Sequence, residues 1–377
     1  MKVGYGVTVL SRCIAENSVD GIGSYTNELL SRFHAREDVD IVPFSFNAKI
    51  PSELLRHNSP VQLSGFAKRA LYSGITSLPF FGGGALSEEL DLVHSTDHLI
   101  PKLRKIPVVA TLMDAIPLSH PEWVTYKYRA LKNALWRKSS HWAEHIITIS
   151  EYSKSEIVTH FGVSEKKITV IPLAVDQRWF SVVSAQVRDE VSKRLQLPKS
   201  YYLFVGTLQP RKNIRRVIEA HQSLPCAIRA ENPLIIVGRE GWDSDVVDGL
   251  KARSYGDNIR WLQYINISDL YVVVSLATGL VFPSLHEGFG LPVLEAMAAG
   301  TPVVTSNNTS LPEVAGDAAL LIDPLDVTAI SDAMLQIVED ELLASELKIK
   351  GGARARQFTW ERCAEETIEV YKTVLGK

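Results

Sequence analysis

The chain has 377 residues, more than the ~250–300 at which a single hydrophobic core stops growing, so its length predicts two domains. Apolar residues make up 46% and charged residues 22%, with 23 Gly and 18 Pro dispersed along the sequence, a globular composition that excludes a disordered or fibrous protein. Lys and Arg total 40 against 43 Asp and Glu, a formal net charge of −3, which leaves no whole-protein footprint for nucleic acid.

In chain order, Val3 to Leu10 reads as a strand, Asp20 to Gly23 as a glycine turn, and Tyr25 to Phe33 as a helix. Short apolar runs follow at Ile41–Phe46, Leu92–His94, Pro107–Leu112, Ile146–Ile149 and Ile168–Ile171, alternating with helical segments. That alternation predicts a parallel sheet covered on both faces. A charged stretch from Asp176 to Ser200 marks the domain boundary. Beyond it Tyr201–Val205, Leu234–Val237, Ile259–Leu262, Leu280–Phe282 and Pro302–Thr305 repeat the pattern. The expected fold is therefore α/β, two doubly wound sheets whose ligands bind beyond the carboxyl ends of the strands. The cysteines Cys13, Cys226 and Cys363 form no C-x-x-C spacing and predict neither a disulfide framework nor a zinc site. The longest apolar stretch, Tyr271 to Phe282, falls short of the ~18 residues of a spanning helix, so a cytoplasmic protein is expected.

The segment from Val281 to Gly300 carries the most chemistry. A buried strand runs into Gly288-Phe289-Gly290, then into a helix that Pro292 can start and Gly300 can stop. Backbone N–H groups at such a loop, with the helix dipole behind them, suit a diphosphate. Glu287 and Glu295 bracket the loop, and a carboxylate can accept from two neighbouring hydroxyls, as on a ribose or a hexose. Gly206 to Asn213 adds two adjacent cations, Arg211 and Lys212, just ahead of a helix at Ile214. Cations oppose a helix N-terminus unless an anion is also there, so both read as phosphate ligands.

Together with Pro283-Ser284, Leu291-Pro292, Gly300-Thr301-Pro302-Val303-Val304 and Leu311-Pro312-Glu313-Val314, these segments resemble the retaining glycosyltransferases of family 4. Gly21-Ile22-Gly23-x-Tyr25 and Ile147 to Lys154 match as well, so the resemblance covers most of the chain. It implies a GT-B architecture, two Rossmann-like domains facing across a cleft. An acceptor-binding domain over 1–180 would be completed by a C-terminal helix at 356–377, and a nucleotide-sugar domain would span 199–355. It further implies a catalytic set of Glu287, Arg211 and Lys212, with Glu287 on the donor hexose and the cations on the diphosphate. Glu295 would hold the ribose, Gly288, Phe289, Gly290 and Leu291 would contact sugar and phosphate, and Gly21 and Gly23 would line the phosphate side. No metal or other cofactor is implied, because the cations and the helix N-terminus neutralise the leaving group.

In many relatives the strand Pro107 to Leu112 ends in His-Asp. Here it ends Met113-Asp114, a thioether that transfers no proton, which leaves Asp114 as the candidate acceptor contact. Between Leu99 and Trp142 eight Lys or Arg face two acids. A helical wheel groups Val124, Tyr128, Leu131, Leu135 and Trp142 as an apolar stripe, with Tyr126 and Trp136 among the cations. Such a face suits either solvent or an anionic membrane surface, with Phe80 and Phe81 as a second contact. The resemblance to the mannosyltransferase-like branch implies GDP-mannose as donor, a glycan or lipid-linked acceptor, and a place in polysaccharide biosynthesis. The alternatives are a sugar-nucleotide sensor without activity, motivated by Met113, and a nicotinamide-dependent oxidoreductase. The second lacks the G-x-G-x-x-G fingerprint with its acidic residue about 20 positions on.

Overall fold

The computed structural model describes residues 1–16, 21–56, 59–86, 89–124 and 126–377. They fall into two units, Met1–Leu173 with Trp360–Lys377, and Ala174–Thr359. The first unit is built on a sheet of parallel strands: β1 (Lys2–Gly6), β2 (Asp40–Phe46), β3 (Val61–Leu63), β4 (Leu92–Ser95), β5 (Val108–Thr111), β6 (His145–Thr148) and β7 (Ile168–Val170), in the order β3-β2-β1-β4-β5-β6-β7. Val3 lies opposite both Ile41 and Leu92, so the strand order reverses between β1 and β4. The second unit holds β8 (Tyr202–Val205), β9 (Leu234–Val237), β10 (Ile259–Trp261), β11 (Gly279–Phe282), β12 (Val303–Ser306) and β13 (Leu320–Ile322), in the order β10-β9-β8-β11-β12-β13. Here Leu280 faces Leu203 on one side and Val303 on the other, and the reversal lies between β8 and β11.

These are two doubly wound α/β sheets, as the alternation predicts. Strands β4, β5, β9, β11 and β12 are buried along their whole length, because helices cover both faces of a parallel sheet. Their runs of Val, Ile and Leu therefore show no polar alternation in the sequence. The three-residue edge strands β3 and β13 escape a reading based on apolar runs, since each is only partly buried.

Several expectations need correction. The first strand stops at Gly6, and Thr8–Ala15 is a helix. The β-branched Val7, Thr8 and Val9 favour a strand locally, but burial of Leu10 and Cys13 on one helical face outweighs that preference. Gly21 and Gly23 lie inside the helix Gly21–His34 rather than in a turn, and Asp20 lies outside the described residues. The basic segment forms a helix only over Arg129–Ser140. Trp136 and Trp142 pack against the first unit's core, while Tyr128 and Leu131 are exposed. The stripe drawn on the wheel thus joins residues that face different ways.

The chain enters the second unit at Ala174, ahead of the charged stretch. Trp179 is buried against Tyr271 at 5.6 Å between ring centroids, and Arg194 on the helix Ala185–Leu195 grips Asp269 with bonds of 2.9 and 2.6 Å. The chain returns to the first unit at Trp360, not at 356: Arg356 still sits over the Phe180 ring, and the Phe358 carbonyl accepts from Val175 N–H. On the helix Trp360–Leu375 the Tyr371 hydroxyl lies 2.6 Å from His94 Nδ1. His94 Nε2 lies 2.8 Å from the Thr111 hydroxyl, which Tyr25 OH also reaches at 2.9 Å. Burial pulls His94 down to about 3, so a neutral ring with both nitrogens partnered ties this helix to β4 and β5. No described helix is long and apolar enough to cross a membrane.

Candidate active site

Two loops at the reversal point of the second sheet carry the candidate residues. After β8 the chain passes through a single 3-10 turn, Pro210–Lys212, to Asn213 at φ 61° and then the helix Ile214–Ser223. Asn tolerates this left-handed conformation better than most residues. Asn213 Nδ2 donates to the carbonyls of Pro283, at 2.9 Å, and Pro324. Leu285 N–H donates to the Arg211 carbonyl at 2.8 Å. The loop after β8 is thereby stitched to the loop after β11.

The second loop is held from the β12 side. Ser306 Oγ donates to the Ser284 carbonyl, and Ser310 Oγ lies 2.9 and 3.0 Å from the carbonyls of Glu287 and Phe289. Gly290 has φ 111°, and a Cβ there would come 2.6 Å from Leu311 Cδ2, so the turn into the helix Leu291–Ala298 requires glycine. Pro292 sits in the first turn of that helix and Gly300, at φ 74°, just past its end.

The structure brings Glu287, Arg211 and Lys212 together. Arg211 Nη1 donates to Glu287 Oε2 at 3.0 Å and to the His286 carbonyl at 3.0 Å. Lys212 Nζ donates to Glu287 Oε1 at 2.5 Å and lies 4.8 Å from the centroid of the Phe282 ring. All three side chains are largely buried. Burial by itself would push the Glu287 carboxyl up, but Lys212 and Arg211 hold it at about 2. Burial draws Lys212 down to about 8, with Arg211 adding to the effect and Glu287 opposing it. The anion that the two adjacent cations require is therefore supplied by the chain itself. Two cations on one carboxylate leave a net positive charge, and among the described residues Arg211 Nη2 donates to no partner.

Glu295 lies on the same helix but in its second turn rather than its first, so it does not complement the dipole at the helix start. Among the described residues no donor hydrogen-bonds its carboxylate. Burial raises it to about 8, against a smaller lowering by Arg178. The residue is partly exposed to solvent, and a carboxyl group whose charged form is disfavoured and that has no described hydrogen-bond donor is a candidate ligand-binding group. Phe289 is buried and packs on Phe358 at 5.8 Å between centroids, so its side chain anchors the loop in the second unit.

Gly21, Gly23 and Asp114 belong to the first unit. A Cβ on Gly21 would meet nothing within 4 Å, whereas Gly23 is buried. Asp114 Oδ1 accepts from Ile116 N–H at 3.0 Å, at the start of the short helix Ile116–Ser119. Met113 is half-buried, and its carbonyl accepts from Ser153 Oγ at 2.9 Å. Ser310, Arg178 and the bracing role of Asn213 escape the sequence reading. Only Asn213 carries a local signal, an Asn immediately before a helix.

Residues 187–356 match the family described as glycosyl transferases group 1, and residues 19–179 match glycosyltransferase family 4. The chain is 35% identical over 373 residues to O-antigen chain mannosyltransferase B of Escherichia coli, a match covering 93% of this chain and 96% of that protein. It is 32% identical over 238 residues to the serotype-specific mannosyltransferase WbdA of Escherichia coli, covering 62% of this chain and 29% of that longer one. Among solved structures, Anabaena HepE in complex with UDP and glucose superposes with a TM-score of 0.74 at 16% identity, over 99% of this chain and 100% of that one, which agrees with the GT-B fold. The chain belongs to glycosyltransferase family 4. It is a hexosyltransferase, with a nucleotide-sugar donor and a glycan acceptor, and the sensor and oxidoreductase readings fall away.

Proposed function

We propose that this enzyme transfers mannose from GDP-mannose, with retention of anomeric configuration, to a hydroxyl of a glycan or lipid-linked glycan during polysaccharide synthesis in the cytoplasm. The observation that carries the donor site is the buried Arg211–Glu287–Lys212 group beside the Gly288–Leu291 loop, with the unpartnered Glu295 on the helix that follows. Lys212 and the free face of Arg211 take the diphosphate. Glu287 holds both cations and keeps lone pairs for a hexose hydroxyl. Glu295 accepts from the two ribose hydroxyls. In the reaction the bond from C1 of the sugar to the phosphate oxygen breaks and the bond from C1 to the acceptor oxygen forms on the same face. The acceptor proton passes to the leaving phosphate, so the imidazole that Met113 replaces is not required. Charge grows on the phosphate as the bond breaks, and preorganised cations in a water-poor site stabilise that charge without further rearrangement. Identity of 35% with one mannosyltransferase over nearly the whole chain supports the sugar. The test is NMR of the product: an α-linked mannoside supports retention, and a β-linked product contradicts it.

The acceptor side we assign to the first unit, resting on an anionic membrane. On the helix Phe66–Thr76 and the segment after it, Tyr72, Ile75, Leu78 and Phe81 are exposed. Lys102 Nζ reaches the Ser77 carbonyl, and Arg69 lies over the Phe81 ring, so apolar side chains and cations share one surface. Sedimentation with anionic liposomes is expected to retain the protein and to lose it for Ile75→Ser with Phe81→Ser. Equal retention of that variant overturns this placement.

A further inference from the structure

The carboxyl ends of β1 and β4 flank the reversal point of the first sheet, where a doubly wound sheet opens a crevice. Arg12 lies on the helix Thr8–Ala15 that follows β1, and His98 stands three residues beyond β4. The His98 ring meets Trp136 at 4.2 Å between centroids, and Trp136 meets Tyr126 at 5.2 Å. Lys132 Nζ lies 4.8 Å from the Tyr126 ring centroid. His98 is half-buried, yet among the described residues neither of its ring nitrogens has a hydrogen-bond partner. Arg12 and Lys132 form no ion pair with any described carboxylate. Of the acids after β4 and β5, Asp97 Oδ1 accepts from Leu99 N–H at 2.8 Å and Asp114 Oδ1 from Ile116 N–H. Burial, reinforced by the charges of Arg12 and Lys132, lowers His98 to about 4, so at neutral pH it offers one donor and one acceptor without adding charge.

We propose that Arg12, His98, Lys132 and Trp136 form a subsite for a sugar that carries a phosphate. An apolar sugar face packs on Trp136, a sugar hydroxyl bonds to His98, and the phosphate takes Arg12 and Lys132 as its counterions. The inference rests on the assignment of the acceptor to the first unit, and it adds to that assignment the charge of the acceptor and the residues that read it.

The test is ligand-observed NMR on the full chain with mannose 1-phosphate, methyl mannoside and inorganic phosphate, each also measured on Lys212→Ala. Mannose 1-phosphate is expected to bind at least about tenfold more tightly than methyl mannoside. That preference is expected to disappear in Arg12→Ala with Lys132→Ala and to persist in Arg12→Lys with Lys132→Arg. His98→Ala is expected to weaken both sugars. Equal binding of the two sugars, or a preference indifferent to Arg12 and Lys132, overturns the proposal. So does inorganic phosphate binding as tightly as the sugar phosphate, because no sugar contact then contributes. Loss of binding in Lys212→Ala also overturns it, since the ligand would then occupy the second unit. Failure of the acceptor assignment reads differently: mannose 1-phosphate binds with the expected residue dependence but does not compete with a glycan acceptor in the transfer assay.

Discussion

Arg211 and Lys212 share the Glu287 carboxylate at the reversal point of the second sheet, whereas Arg12 and Lys132 of the first unit, whose charges act on His98, have no carboxylate paired to either among the described residues. The paired cations are fixed before any ligand arrives. Their geometry is ready for charge that develops during reaction, which is where preorganisation contributes most. The unpaired cations hold no such geometry and gain most from a ligand that brings its own negative charge. The same residue types thus suit bond breaking in one unit and recognition in the other, and the difference lies in a single buried carboxylate.

The largest way to break this contrast is to remove one member of the buried group. Lys212→Ala is expected to slow transfer by ~10²-fold or more, read as nucleotide release at saturating donor. Glu287→Gln leaves two buried cations without their carboxylate and is expected to cost the second unit about 3–5 kcal/mol, read by denaturant titration. Gly290→Ala comes next. A methyl group 2.6 Å from Leu311 Cδ2 at φ 111° is expected to cost about 1–3 kcal/mol and to weaken donor binding, while leaving the sugar-phosphate site of the first unit unchanged.

A smaller effect follows from the two glutamates, whose shifts have opposite signs. Folding lifts Glu295 from the ordinary 4.5 to about 8. Between those values the folded chain holds a proton that the unfolded chain has released, so this group's contribution to stability falls as the pH rises from 4.5 to 8. Glu295→Gln is expected to flatten that decline when midpoints at pH 5 and pH 8 are compared. Folding lowers Glu287 from 4.5 to about 2, so its contribution is present above pH 4.5 and is lost as the pH falls towards 2. Met113→Ala is expected to change turnover least, because its side chain transfers no proton.

Which parts of this were legible in the sequence follows from the range of the interactions involved. Buried parallel strands announce themselves as short runs of Val, Ile and Leu, and glycines at strand ends announce close backbone approach, so both sheets and the Gly288 to Gly290 loop could be read directly. The first helix could not, because Val7 to Leu10 favours a strand locally and only packing decides otherwise. The pairing of Glu287 with Arg211 and Lys212 joins positions 75 and 76 apart, and no local pattern encodes which carboxylate meets which cation. His98 is hidden for the same reason: its ring partner, Trp136, falls among the cations on a wheel drawn across a segment that is helical only over Arg129–Ser140.

The central claim, that the second unit binds a nucleotide sugar and breaks its bond to phosphate through Arg211, Lys212 and Glu287, is tested most directly by nucleotide release from GDP-, UDP- and ADP-sugars with a mannose-terminated acceptor. The account predicts release of GDP from GDP-mannose, slowed ~10²-fold or more by Lys212→Ala, with weakened donor binding in Glu295→Ala. Release at an unchanged rate in both variants would contradict it.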